Sequence, residues 1–99
     1  MFFVRVIMKI AVKNLHKADA SIPGGALNAW KRYFGITGSV VCVRCQNRFA
    51  KHGGHVIKAN PNADKSWYIV PLCVQCNELK DDNPFFVPAS SMVRVTALS

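Results

Sequence analysis

Cys42-Val43-Arg44-Cys45 and Pro71-Leu72-Cys73-Val74-Gln75-Cys76-Asn77 are the two stretches that decide how this chain folds. Each sets two cysteines two residues apart, a gap that lets one tight turn present both sulfurs to a single ion. Twenty-seven residues separate the pairs, and two such turns together supply the four thiolates that tetrahedral Zn²⁺ prefers. Four protein ligands leave no open position, so Cys42, Cys45, Cys73 and Cys76 predict a structural zinc site and not a catalytic one. A disulfide framework needs an oxidising compartment that nothing in the sequence indicates. A redox dithiol needs one pair, not two matched pairs.

Size makes a staple useful. The chain has 99 residues, room for one modest core, and a domain this small is often marginal without metal or disulfides. Hydrophobic residues make up 51% and charged residues 18%, a balance that excludes a disordered polypeptide. No apolar run reaches the roughly 18–20 residues needed to cross a bilayer. The apolar start, Met1 to Met8, is interrupted by Arg5 and followed by Lys9 with no small-residue cleavage site, which argues against a secretory signal and for a cytoplasmic, reducing location.

Outward from the cysteines the elements are short. Ser39–Cys42 reads as a strand entering the first cysteine turn, and His55–Lys58 as a strand after a flexible Gly53-Gly54 pair. Ser66–Leu72 is a strong strand with Pro71 near its end, and Val74–Lys80 suits a short helix begun inside the second cysteine pair. Phe85–Val95 adds one or two strands. Ala26–Gly35 reads as a helix, with Leu27, Trp30 and Phe34 at helical spacing and Gly35 as its stop. Residues 2–12 fit either a strand or an N-terminal arm. The result is a small α+β chain without repeats or linkers: an arm and short helix over residues 1–35, packed on a zinc-binding core over residues 36–99.

The charge is lopsided. Residues 1–60 hold ten lysines and arginines against one acid, and residues 61–99 hold three against four, for a net +8. A chain that basic favours a polyanionic partner, nucleic acid first. Arg44 and Arg48 lie at the first cysteine turn, Lys51 and Lys58 flank the Gly-Gly-His step, and Lys31 and Arg32 stand on the helix; these six are expected to form a phosphate-contacting rim. Trp30 and Trp67 are expected in the core. The Phe2-Phe3 and Phe85-Phe86 pairs are expected to form an exposed apolar patch, suited to a dimer or another protein partner.

The order of these motifs resembles one family. Paired cysteines, then Gly53-Gly54-His55-Val56, then Trp67-Tyr-Ile-Val-Pro-Leu-Cys73-Val-Gln-Cys76-Asn77 look like the zinc-stapled branch of the HNH endonuclease-like proteins, including small bacterial and phage members. The resemblance runs over roughly residues 40–82 and implies a treble-clef, or ββα-metal, core. It puts His55 where the family keeps the general base that activates water against a phosphodiester, a role suited to an imidazole. It also implies a second divalent ion, Mg²⁺ or Mn²⁺, held by the residue before that base and by the last helix.

Here the preceding residue is Gly54, which has no side chain. Asn77 and Asp81, one helical turn apart, are the candidates on the helix. Tyr68 stands where the family has its middle Asn. These departures imply a nucleic-acid-binding module that has lost catalysis. The alternatives are an active metal-dependent endonuclease using His55, and a zinc-stabilised adaptor for an acidic protein. The plain role for His55 is a strand histidine whose ring packs on Trp67 or hydrogen-bonds to the finger backbone, with His52 and His16 as surface groups.

Overall fold

The computed structural model describes residues 8–15, 22–79 and 83–98. Phe2, Phe3, His16, Lys80 and the candidate ligand Asp81 lie outside the described residues. Five strands form one antiparallel sheet: β1 (Lys9–Asn14), β2 (His52–Lys58), β3 (Tyr68–Leu72), β4 (Phe85–Pro88) and β5 (Val93–Arg94), in the spatial order β4-β1-β2-β3-β5. Helix α1 (Ala26–Phe34) precedes β2, and α2 (Val74–Glu78) follows β3 directly. Of the two possibilities for residues 2–12, a strand is realised from Lys9 onward, the residues before Met8 lying outside the described ones, and β1 lies inside the sheet, hydrogen-bonded to β2 and β4.

Alternation along the strands divides the side chains between two cores. Val12, Val56, Tyr68, Val70, Leu72, Phe85 and Val87 project to one face, where they pack with Cys42, Cys73 and Cys76. Ile69 and Val93 project to the other, where α1 covers them with Ala29 and Trp30, joined by Ile22. Each fully buried Val, Leu or Ile contributes about 1.5–3 kcal/mol. The helix rests on β2 and β3, and Trp30 Nε1–H donates to the Ser91 carbonyl at 2.8 Å, tying α1 to the turn before β5.

Every residue of β3 is buried, as its unbroken Tyr-Ile-Val-Pro-Leu sequence requires. Pro71 has no N–H to give, and β5 pairs only with Tyr68 and Ile69. Beyond that short edge strand the Pro71 carbonyl accepts from the Val43 N–H at 3.1 Å, so the first cysteine turn covers the rest of the edge.

Three expectations change. Gly53 and Gly54 are strand residues of β2, not a flexible lead-in. A Cβ on Gly53 would sit 2.7 Å from the Ala26 and Leu27 backbone, so glycine is what lets α1 approach the sheet. Trp67 is 41% exposed and outside the core, whereas Trp30 is 5% exposed. The Phe85-Phe86 pair is split by the pleat, with Phe85 8% exposed in the first core and Phe86 65% exposed on the opposite face.

Candidate metal centre and its surroundings

The first cysteine turn is built by backbone hydrogen bonds. Cys42 N–H donates to the Arg48 carbonyl at 2.8 Å, and Gln46 N–H to the Cys42 carbonyl at 3.0 Å. Val41 and Phe49 bridge its base, so the expected strand at Ser39–Cys42 is reduced to a single bridge. Gln46 closes the turn at φ 59°, a left-handed conformation that the sequence did not advertise because glycine is its usual occupant. The second turn is the start of α2. Cys73 caps that helix, its sulfur accepting from the Cys76 N–H at 3.4 Å, while Asn77 N–H donates to the Cys73 carbonyl at 3.0 Å.

Two contacts bring the turns together. Val43 bonds to Pro71, as above, and Lys51 N–H donates to the Leu72 carbonyl at 3.0 Å. As a result the four Sγ atoms lie within 4.8 Å of one another, with Cys45 and Cys73 sulfurs 3.9 Å apart. Tetrahedral thiolates about 2.3 Å from an ion stand about 3.8 Å from each other. The cluster therefore fits a structural metal site.

Cys42, Cys73 and Cys76 are buried and Cys45 is half-buried. The Asn47 backbone N–H, with smaller help from Cys42, Arg48 and Cys73, lowers the Cys45 thiol to about 6. Burial, reinforced by neighbouring cysteines, pushes the Cys76 thiol well up. A backbone donor at one cysteine and burial at the other thus pull the Cys45 and Cys76 thiols in opposite directions.

The residues of the expected second ion site are arranged less favourably. Gly54 pairs with Val70 and faces the cysteine side of the sheet. A Cβ there would run into Leu72 Cδ1 and lie 3.1 Å from Asn77 Oδ1. The space for a ligand at this position is occupied by a core leucine. His55 pairs with Ile69 and projects to the α1 side, so the sheet separates it from Asn77. Its ring meets Trp67 edge-on, centroids 6.2 Å apart, as expected of a strand histidine. Asn77 instead shares an open cleft of about 320 Å³ with Lys51, His52, Gly53 and the start of α1 at Gly25–Asn28.

Three of the six basic residues make contacts within the chain. Arg44 lies over the Phe85 ring at 4.5 Å. Lys58 is paired with Asp64 at 2.8 Å, and Arg32 donates to the Pro23 carbonyl at 2.9 Å. Arg48 and Lys51 are exposed, and Lys31 is half-buried on α1. Two exposed lysines that the sequence reading passed over, Lys9 and Lys13, stand on β1; strand alternation in residues 9–14 was the signal that would have placed them together.

No family model matches the chain, and no curated protein or solved structure does. The HNH-like resemblance rests on its motif residues alone.

Proposed function

We propose that this chain is a zinc-stapled, treble-clef-like module that holds nucleic acid against a basic surface and does not cleave it. One observation carries the reading: the surface charge left after internal pairing. Lys58–Asp64 is the one ion pair among the described residues, while Lys9, Lys13, Arg48 and Lys51 are exposed in a chain of net charge +8. Cations held on a small, metal-fixed frame release phosphate counterions without first having to be ordered. Leu72 in the space of a Gly54 side chain supports the non-catalytic form, because phosphodiester hydrolysis draws on a bound ion for both charge and nucleophile.

The test is a fluorescence-anisotropy titration of the zinc-loaded protein with DNA and RNA from 50 to 300 mM salt, with parallel gels containing Mg²⁺ or Mn²⁺. Contacts to four phosphates give a log–log slope of about −3 to −4, with no nicking. Binding that is absent even at low salt would overturn the reading. Metal-dependent nicking abolished by His55→Ala would replace it with the endonuclease.

A further inference from the structure

We infer that the part of the sheet's α1 side that α1 leaves open, over β1, β4 and the start of β3, is a stacking platform for single-stranded nucleic acid. The inference rests on the nucleic-acid reading above and names its surface and its substrate class.

The register defines the platform. Val12 and Ile10 point into the first core opposite Phe85 and Val87, so Lys9, Ala11, Lys13 and Phe86 point to the other face. On β2 that face carries His55 and Ile57, and the His55–Trp67 ring contact puts Trp67 there as well. Helix α1 packs over β2 and β3 around Gly53 and Ile69. No other described element is packed across the Phe86–Ala11 side, and both aromatic rings remain open to solvent, at 65% for Phe86 and 41% for Trp67.

The chemistry of this face selects the occupant. Its two exposed rings are three strand spacings apart, about 14 Å, and half-buried Ala11 and Ile57 make a low floor between them. Lys9 and Lys13 lie four residues apart on β1, also about 14 Å, and neither has an acidic partner among the described residues. Asp64, with Lys58 and Tyr68, belongs to the opposite face.

Flat apolar rings flanked by unopposed cations match a strand whose bases expose their π-faces beside a charged backbone. A distance of 14 Å spans about four stacked nucleotides. A duplex keeps its base faces stacked inside and offers the rings nothing. Open sheets that present aromatics are a recurring answer to single strands. An acidic protein would satisfy the lysines but leaves the two separated rings unexplained.

The experiment uses the full zinc-loaded chain with fluorescein-labelled oligo-dT, oligo-U and a duplex of equal length. Of the two tryptophans in the chain, only Trp67 is exposed, so its quenching reports stacking directly. The expected result is single-strand binding tighter than duplex binding, accompanied by quenching. Trp67→Ala and Phe86→Ala should each weaken single-strand binding roughly ten- to a hundredfold. Trp67→Phe should keep binding and remove the quench, and Lys9→Glu with Lys13→Glu should abolish binding.

Zinc content and melting temperature of each variant, matched to the parent, separate lost contacts from lost fold. The dT and U arms distinguish DNA from RNA. Duplex bound as tightly as single strand, with the aromatic variants unchanged, would overturn the platform and leave the nucleic-acid reading standing. No binding to any oligonucleotide would overturn both. A dimer dispersed by Phe86→Ala, with no oligonucleotide bound, would make the face a self-association surface instead.

Discussion

Leu72 occupies the space that a side chain on Gly54 would need: the two are diagonal neighbours on one face of β2 and β3, and Leu72 is fully buried. Gly54 is therefore a packing residue, its missing side chain complementary to a leucine that seals the core beneath the cysteines. Gly54→Ala should destabilise the protein by about 1–3 kcal/mol, the usual cost of overpacking. Leu72→Ala alone should cost about 2–5 kcal/mol through the cavity it leaves. The double variant should be more stable than the sum of the two predicts, since each change relieves the other. Urea denaturation of the four proteins checks this, and strict additivity would contradict it.

The cysteine cluster makes a larger claim. Structural Zn²⁺ sites contribute about 10–16 kcal/mol on binding, as much as the whole stability of about 5–15 kcal/mol expected of a domain this size. Removing the metal with EDTA should abolish the folded circular-dichroism signal and the buried Trp30 fluorescence together, and one equivalent of Zn²⁺ should restore both. Because the ion binds thiolates, acid competes with it, and stability should fall as pH drops. Cys→Ser at any of the four positions should behave like chelation. A cooperative thermal melt retained in EDTA would show that the cluster is not the staple.

What the sequence made legible was local. Cysteine spacing is set by the geometry of one turn and one ion, so the cluster could be read without knowing what separates its halves. Helix α1 and strand β3 were legible because their periodicity and punctuation lie within the element. What escaped was decided by distant partners. Gly53-Gly54 has the propensity of a loop, and only Ala26, Leu27 and Leu72 explain why it is strand. Nothing local distinguishes Phe85 from Phe86 until β1 fixes which one the pleat turns inward. That Arg44 stands at its cysteine turn is visible in sequence, whereas the Phe85 ring it rests on is forty-one residues away.

Lys58, Asp64 and Tyr68 pin the loop between β2 and β3. Asp64 accepts from Lys58 at 2.8 Å, from the Tyr68 hydroxyl and from the Ser66 N–H. Lys58 is the main reason that the Asp64 carboxyl is held well below the usual carboxylate range, and Asp64 the main reason that Lys58 is raised. The pair's contribution is thus complete between the ordinary values of about 3.9 and 10.4. It is lost in acid as pH falls through the depressed Asp64 value, and in alkali as pH rises through the raised Lys58 value. Asp64→Asn should lower the melting temperature by an amount that is constant from pH 5 to 9 and smaller in high salt. A gap that changes across that range would contradict the assignment.

Trp30 links the helix to the far edge of the sheet. Its buried N–H reaches the Ser91 carbonyl, and its ring lies 4.8 Å from that of Phe34. Phenylalanine keeps most of the apolar contact but leaves that carbonyl without its donor, at a cost of about 1–3 kcal/mol. At roughly 4–8 °C per kcal/mol for a domain of this size, Trp30→Phe should lower the melting temperature by several degrees. The loss should be local in its structural effect. Val93 pairs with Ile69 just past the Ser91 turn, so amide exchange should quicken at that pair first. The cysteine cluster packs on the opposite face, and the variant should still bind one Zn²⁺ with unchanged affinity. Zinc affinity that falls along with the melting temperature would mean that the two faces of the sheet do not hold their cores independently.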